Sequence, residues 1–238
     1  VLLGMPQDIQ APKGRLILPQ VQVLREVLDA GAMALTVKES EVADMLRGLA
    51  AKPALVITDS QAVREVAAAV PEDIRLTTFS TLFARYKGDF AAQLAGAAAI
   101  DTLKDGDRVL IAEGCSHHVT CDDIGRVKIP NWMKKYTGRE LKFEWTQGAD
   151  FPDNLEDYAL VVHCGGCMLN RAEVRRRINE CARQGVKVTN YGIVISKMQG
   201  VLERVVKGIA DAGATGSVSA TGSVSATGSI SDTGEEGD

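Results

Sequence analysis

Nowhere in the 238 residues does an apolar run reach membrane-spanning length, and no charged–apolar–small signal segment opens the chain. The sequence therefore predicts neither a membrane span nor export. Both glycine-rich phosphate signatures, GxxxxGK[S/T] and GxGxxG, are missing, so no nucleotide-phosphate loop can be assigned. Basic charge is not in excess either: 27 Lys and Arg stand against 31 Asp and Glu, a net charge of −4. The tail acids Asp232, Glu235, Glu236 and Asp238 account for that charge, which leaves a neutral body and no electrostatic reason to expect nucleic acid. The one tight basic run, Arg175-Arg176-Arg177, falls on a predicted helix whose apolar positions lie elsewhere, and reads as a solvated face. Cysteine is scarce as well. Five residues, an odd number crowded around histidines, argue against a disulfide framework and for a reducing, cytoplasmic compartment.

What is present is an ordinary globular composition, 45% hydrophobic and 24% charged, in a chain long enough for two domains. Val1 lies inside an apparent strand, so the chain is expected to be a piece whose N-terminal part is missing. Strands and helices then alternate. A helix is predicted over Gln20–Ala30, with Val21, Leu24, Val27 and Leu28 at helical spacing and Gly31 as its stop. Met33–Val37 reads as a strand, Ser40 as the cap of a second helix, Ala54–Thr58 as a strand, Asp59 or Ser60 as the cap of a helix through Ala69, and Ile74–Phe79 as a strand.

A second round begins near Lys87-Gly88 and includes a helix over Phe90–Leu103 and a strand over Arg108–Ala112. Thr120 and Asp123 form a cap-like pair. Further strands are predicted at Leu141–Trp145, Tyr158–His163 and Lys187–Asn190. A helix capped by Asn170 buries Val174, Ile178, Cys181 and Ala182, and a last helix spans Ile195–Ile209. Apolar strands alternating with helices specify parallel sheets covered by helices. The expected architecture is α/β: two consecutive Rossmann-like domains over 1–87 and 88–212, then a low-complexity tail over 213–238. That tail repeats Ala-Thr-Gly-Ser-(Val/Ile)-Ser three times and has too little apolar surface to order itself, so it is expected to be disordered.

The chemistry concentrates in two short clusters, Cys115-Ser116-His117-His118 and His163-Cys164-Gly165-Gly166-Cys167, about 45 residues apart. They contain three of the five cysteines and all three histidines. Cys115 and Cys164 each follow a predicted parallel strand, on the sheet edge where α/β proteins bind ligands. Cys167 precedes the helix capped by Asn170, whose positive end is expected to favour a thiolate. Gly114, Gly165 and Gly166 remove side chains around the thiols. Three thiolates suffice to hold three irons of a 4Fe–4S cluster, leaving the fourth open or held by another group. Three Cys with His117 or His163 also make a legitimate structural zinc set, and CxxC alone serves thiol redox chemistry. Cys181 reads as a buried structural residue, and Cys121 and His118 are weaker ligand candidates.

CxH at Cys115 and His117, followed after about 45 residues by HCxxC at His163, Cys164 and Cys167, resembles the cluster-binding motif of the FeFe-hydrogenase maturation GTPase family, HydF. Ala11–Gln20 resembles the start of that family's dimerisation domain, and Asp122–Pro130 the segment after its first cysteine. The resemblance implies a dimerisation domain and an Fe–S domain, with the family's GTPase domain absent. It further implies a 4Fe–4S cluster on Cys115, Cys164 and Cys167, with His117 and His163 beside an exchangeable fourth site. The chain would then be a homodimeric or larger scaffold with no catalysis of its own. It would receive a transient diiron precursor from radical-SAM maturation enzymes and pass it to the apo FeFe-hydrogenase. The alternative is a structural zinc-binding interaction module.

Overall fold

The computed structural model describes residues 1–7, 13–115 and 123–210. These residues form two four-stranded parallel sheets with helices on both faces, the α/β architecture expected from the alternation. The first sheet holds β1 (Leu2–Gly4), β2 (Leu35–Val37), β3 (Val56–Thr58) and β4 (Leu76–Thr78), in the order β2-β1-β3-β4. The second holds β5 (Arg108–Ala112), β6 (Lys142–Thr146), β7 (Leu160–His163) and β8 (Lys187–Asn190), in the order β6-β5-β7-β8. Each order reverses direction once, between β1 and β3 and between β5 and β7. Such a reversal opens a crevice beyond the carboxyl ends of the two strands.

Period-two alternation in fully apolar strands supplies each sheet with two buried faces. In the second sheet Val109, Ile111, Leu160 and Val162 point to one side, where they meet Ile129 and Met133 of α6 (Ile129–Thr137) and Val194 and Ile195 of α8 (Tyr191–Met198). Leu110, Ala112, Val161 and Val188 point to the other, against Val174, Ile178 and Cys181 of α7 (Arg171–Arg183). The first sheet repeats the scheme. Leu2, Val56 and Leu76 pack with Val42 of α2 (Val42–Gly48) and Val66 of α3 (Val63–Ala69). Leu3 and Ile57 pack with Val23 and Val27 of α1 (Leu18–Asp29) and with Phe79 and Phe83 of α4 (Phe79–Lys87). The remaining helices are α5 (Phe90–Ala98) and α9 (Leu202–Ala210).

Several expectations need correction. The strand expected to run to Phe79 ends at Thr78, whose Oγ1 accepts the Thr81 N–H at 3.2 Å and caps α4, a helix the pattern did not reveal. Thr-Thr-Phe is as good a strand as a cap, and only the hydrogen bond separates them. The single helix expected over Ile195–Ile209 is two, α8 and α9, divided at Gly200, where φ is +74°. Ser40 caps nothing; it lies in a 3₁₀ turn, Glu39–Glu41, in which Glu41 accepts the Lys38 N–H at 3.0 Å.

On α1 the packed residues are Val23 and Val27, whereas Val21 and Leu28 are exposed. Ala182 is also exposed. The basic run is solvated only in part. Arg175 and Arg176 are exposed, but Arg177 is 1% exposed and stacks 5.1 Å above the Phe151 ring. Its apolar stem and planar head suit a contact that a charge count does not foresee.

The last helix returns to the first sheet. α9 packs on β4, Arg204 donates to the carbonyls of Ala67, Val70 and Pro71, and Arg85 donates to Ile209 O at 2.6 Å. Thr120 and the repeat tail lie outside the described residues.

Candidate metal centre

β5 and β7 are neighbours, with Ala112 opposite His163, and their carboxyl ends border the switch-point crevice of the second sheet. Cys115 leaves from one strand end and Cys164 from the other, and Cys164 N–H donates to Ala112 O at 2.8 Å. The sequence thus places two cysteines on one sheet edge, and the pairing of β5 with β7 brings them to the same end of the sheet. Cys167 joins them through a short loop in which Gly166 holds φ at +66°, a conformation that disfavours any side chain. Asn170 then caps α7, its Oδ1 accepting from Glu173 N–H at 2.9 Å.

All three thiols are half-buried, free of disulfide bonds and close enough to feel one another's charge. The Cys164 sulfur accepts two backbone N–H groups, from Gly114 at 3.1 Å and Gly166 at 3.4 Å. Burial, together with the neighbouring Cys164 and Cys167, pushes the Cys115 thiol up to about 11. Burial also raises Cys164 and Cys167. This corrects the expectation that the α7 terminus lowers Cys167. Desolvation of the thiolate is the larger effect, so binding a metal must displace protons. Cys181 is fully buried on the apolar face of α7, as expected of a structural residue, and burial drives its thiol up to about 12.

His163 ends β7 and is 1% exposed. Its Nδ1–H donates to Cys164 O at 2.8 Å, a tautomer that leaves Nε2 with its lone pair free. Among the described residues Nε2 has no partner. Burial lowers the ring to about 4, so it is neutral near pH 7. A neutral imidazole anchored by one nitrogen to a backbone carbonyl is the usual state of a metal-bound histidine.

The donor set fits a soft metal centre in type. Among the described residues, however, no three Cys, His, Asp or Glu side chains converge on one ion position. His117, His118 and Cys121 lie outside the described residues.

Three further groups surround the crevice, and of these the sequence pattern singles out Asp123 alone, as half of a cap-like pair. Glu113 is 1% exposed; it accepts from Tyr191 Oη–H at 3.2 Å and Gln147 Nε2 at 3.3 Å, with Arg126 Nε 3.7 Å away. Asp123 caps a π-helical turn, Ile124–Lys128, through Arg126 N–H, and Trp145 Nε1 donates to Gly125 O at 3.0 Å. Lys87, at the end of α4, reaches the cysteine loop from the first unit. The signal for Glu113 was its place, a carboxylate at the end of an apolar strand directly before Gly-Cys. For Lys87 there was none.

Two parallel α/β units, the second with cysteines beside its switch point, define an α/β protein with a candidate thiol site. Residues 1–88 match the hydrogen maturase F dimerization domain and residues 91–208 match the hydrogen maturase F tetramerization domain. The chain therefore belongs to the hydrogen maturase F family, in the part without the GTPase domain. It takes part in hydrogenase maturation and carries the family's self-association domains. No curated protein matches it. Among the described residues no helix is long and apolar enough to cross a membrane.

Proposed function

We propose that this chain is a non-catalytic iron–sulfur scaffold of hydrogenase maturation, with Cys115, Cys164 and Cys167 as the ligands of a 4Fe–4S cluster and His117 and His163 beside its fourth position. The observation that carries the reading is the placing of Cys115 and Cys164 just past the carboxyl ends of the neighbouring strands β5 and β7, with Cys167 in the loop that follows. When bound, such a cluster supplies an iron with an exchangeable site, able to hold a diiron precursor as cargo.

The chain's own residues do the rest. The N–H groups of Gly114 and Gly166 direct partial positive charge at the Cys164 sulfur, which suits a thiolate under iron. His163 presents a neutral nitrogen, and the apolar sheet behind the site restricts water. Radical-SAM maturation enzymes would supply the precursor and the apo FeFe-hydrogenase would receive it. GTP hydrolysis is not assigned to this chain, whose sequence carries no phosphate-loop signature.

Anaerobic reconstitution with iron and sulfide tests the reading. The expected product is brown, gives a 4Fe–4S EPR signal on reduction that changes with added imidazole or cyanide, and loses most of its iron in a Cys164→Ser variant. Zinc retained with no iron taken up would replace this reading with the structural zinc module.

A further inference from the structure

Lys87 is the last residue of α4, in the segment matched by the dimerization domain, and it is 8% exposed. Its ammonium donates to three carbonyls of the cysteine loop: Gly166 O at 3.0 Å, Cys167 O at 3.2 Å and Leu169 O at 2.9 Å. An ammonium has three N–H donors, and here all three are used on one loop. The same Nζ lies 4.8 Å above the Phe83 ring, one turn back on α4. The other end of the helix is also seated at the site. Asn190 Nδ2 donates to Ser80 O at 2.8 Å, and a Cβ placed on Gly165 would lie 3.5 Å from Ser80 Oγ. α4 is thus a strut from the first unit, fixed to the second at Ser80 and at Lys87.

Carbonyls satisfy the hydrogen bonds of a buried cation but do not neutralise it. Among the described residues Lys87 meets no carboxylate, and the ionisable groups facing it are Cys167 and Cys164. A buried charge with no counter-charge is costly, whereas one placed beside an anionic ligand set is not. Hydrogen bonding and placement thus make the same point: the lysine is arranged for a cysteine site that becomes negative.

We propose that Lys87 is a positioning residue for the cysteine site: its three hydrogen bonds hold the Gly166–Leu169 loop in place, and its charge offsets the negative charge of the loaded thiolates. Through α4 it ties the dimerization segment to the metal centre. The charge part rests on the iron–sulfur reading; the loop part does not.

The test compares wild type with Lys87→Met, which keeps the length but loses charge and donors, and with Lys87→Arg, which keeps the charge. In the metal-free protein, amide exchange of the Gly166–Leu169 loop is expected to accelerate in Lys87→Met. After reconstitution, Lys87→Met is expected to lose iron to a chelator about 10-fold faster or more. Its EPR-monitored midpoint potential, taken with dithionite as reductant, is expected to move negative, because a positive charge beside the cluster favours its reduced form. Lys87→Arg is expected to restore the potential. If Lys87→Met fails to fold, Lys87→Gln carries the same comparison with one amide donor kept and the charge removed.

A potential unchanged in the charge-removing variants overturns the electrostatic role even where loop exchange rises. Unchanged loop exchange overturns the positioning role. A wild-type protein that takes up no iron defeats the cluster reading and the charge part together, and the exchange data still decide whether Lys87 holds the loop.

Discussion

The backbone N–H of Gly114 donates to the sulfur of Cys164 at 3.1 Å, tying the second residue after β5 to the residue after β7. The contact depends on Gly114 having no side chain. A Cβ there would lie 2.7 Å from Leu169 Cγ and 3.5 Å from Cys164 Sγ. Gly114→Ala is therefore expected to push the two loops apart, with about 1–3 kcal/mol lost by overpacking and iron uptake reduced. Adding Leu169→Ala opens the space and is expected to restore part of the iron content. Iron per chain and urea midpoints of the single and double variants decide this; an additive double variant would count against the steric cause.

Arg177, 1% exposed, is with Glu113 one of the two most buried charged residues near the site. Its Nε donates to Glu173 Oε1 at 2.8 Å, one Nη donates to Gly148 O, and its head covers Phe151. Arg177→Met keeps the stem and removes the fork. The expected loss is about 2–3 kcal/mol, below the cost of stranding a fully buried partner, because Glu173 stays paired with Arg176 at 2.8 Å and partly solvated. Equilibrium denaturation measures it. A loss no larger than that of Arg175→Met, an exposed neighbour, would remove Arg177 from the stabilising set.

The same cluster predicts an acid limb of the stability curve. Hydrogen bonds from Arg176, opposed by some burial and reinforced by Arg177, hold Glu173 at about 2. A carboxylate depressed in the folded state contributes stability above its unfolded value, near 4.3, and loses it as the pH falls toward 2. Glu173→Gln is therefore expected to be less stable than wild type at pH 6 and to approach it by pH 3. Parallel curves for the two proteins across that range would contradict the assignment.

The return of α9 to the first sheet rests on Gly208. A Cβ there would be 2.1 Å from Leu76 O, a backbone atom that cannot move aside. Gly208→Ala is expected to undock α9 and expose the β4 edge, with limited proteolysis near Leu202–Ala210 as the readout. Protection equal to wild type would mean that the helix docks in another way.

Leu18, Val21 and Leu28 of α1, with Met33 and Leu35 at the β2 edge, are large apolar residues left exposed on the first unit. β2 is an edge strand of its sheet, and a second copy is expected to pack on this surface. Leu28→Glu with Met33→Glu is expected to shift sedimentation toward a smaller species and to leave far-UV circular dichroism unchanged. An unchanged sedimentation coefficient would move the dimer contact elsewhere.

The strands were legible because a parallel sheet buries both of its faces, and a strand such as Arg108–Ala112 then reads as an apolar run. Cys115, Cys164 and Cys167 were legible for a related reason: each stands within a few residues of such a run, and the topology rule sends strand ends to the ligand edge. The helical details were less legible. α4 was hidden because Thr78 serves equally as a strand residue and as a cap, and α8 and α9 merged because the apolar period continues across Gly200.

Order along the chain thus determined two parallel α/β units, their strand positions, and three thiols assigned to one sheet edge. Tertiary structure alone decided which groups surround those thiols. Lys87 reaches a carbonyl 82 positions away, Tyr191 reaches Glu113 78 positions away, and α9 packs on the last strand of a sheet begun by Leu2. Periodicity reports only which face of an element is apolar. It says nothing about which distant polar group will be desolvated against it, because that choice is made by packing between elements after each has formed.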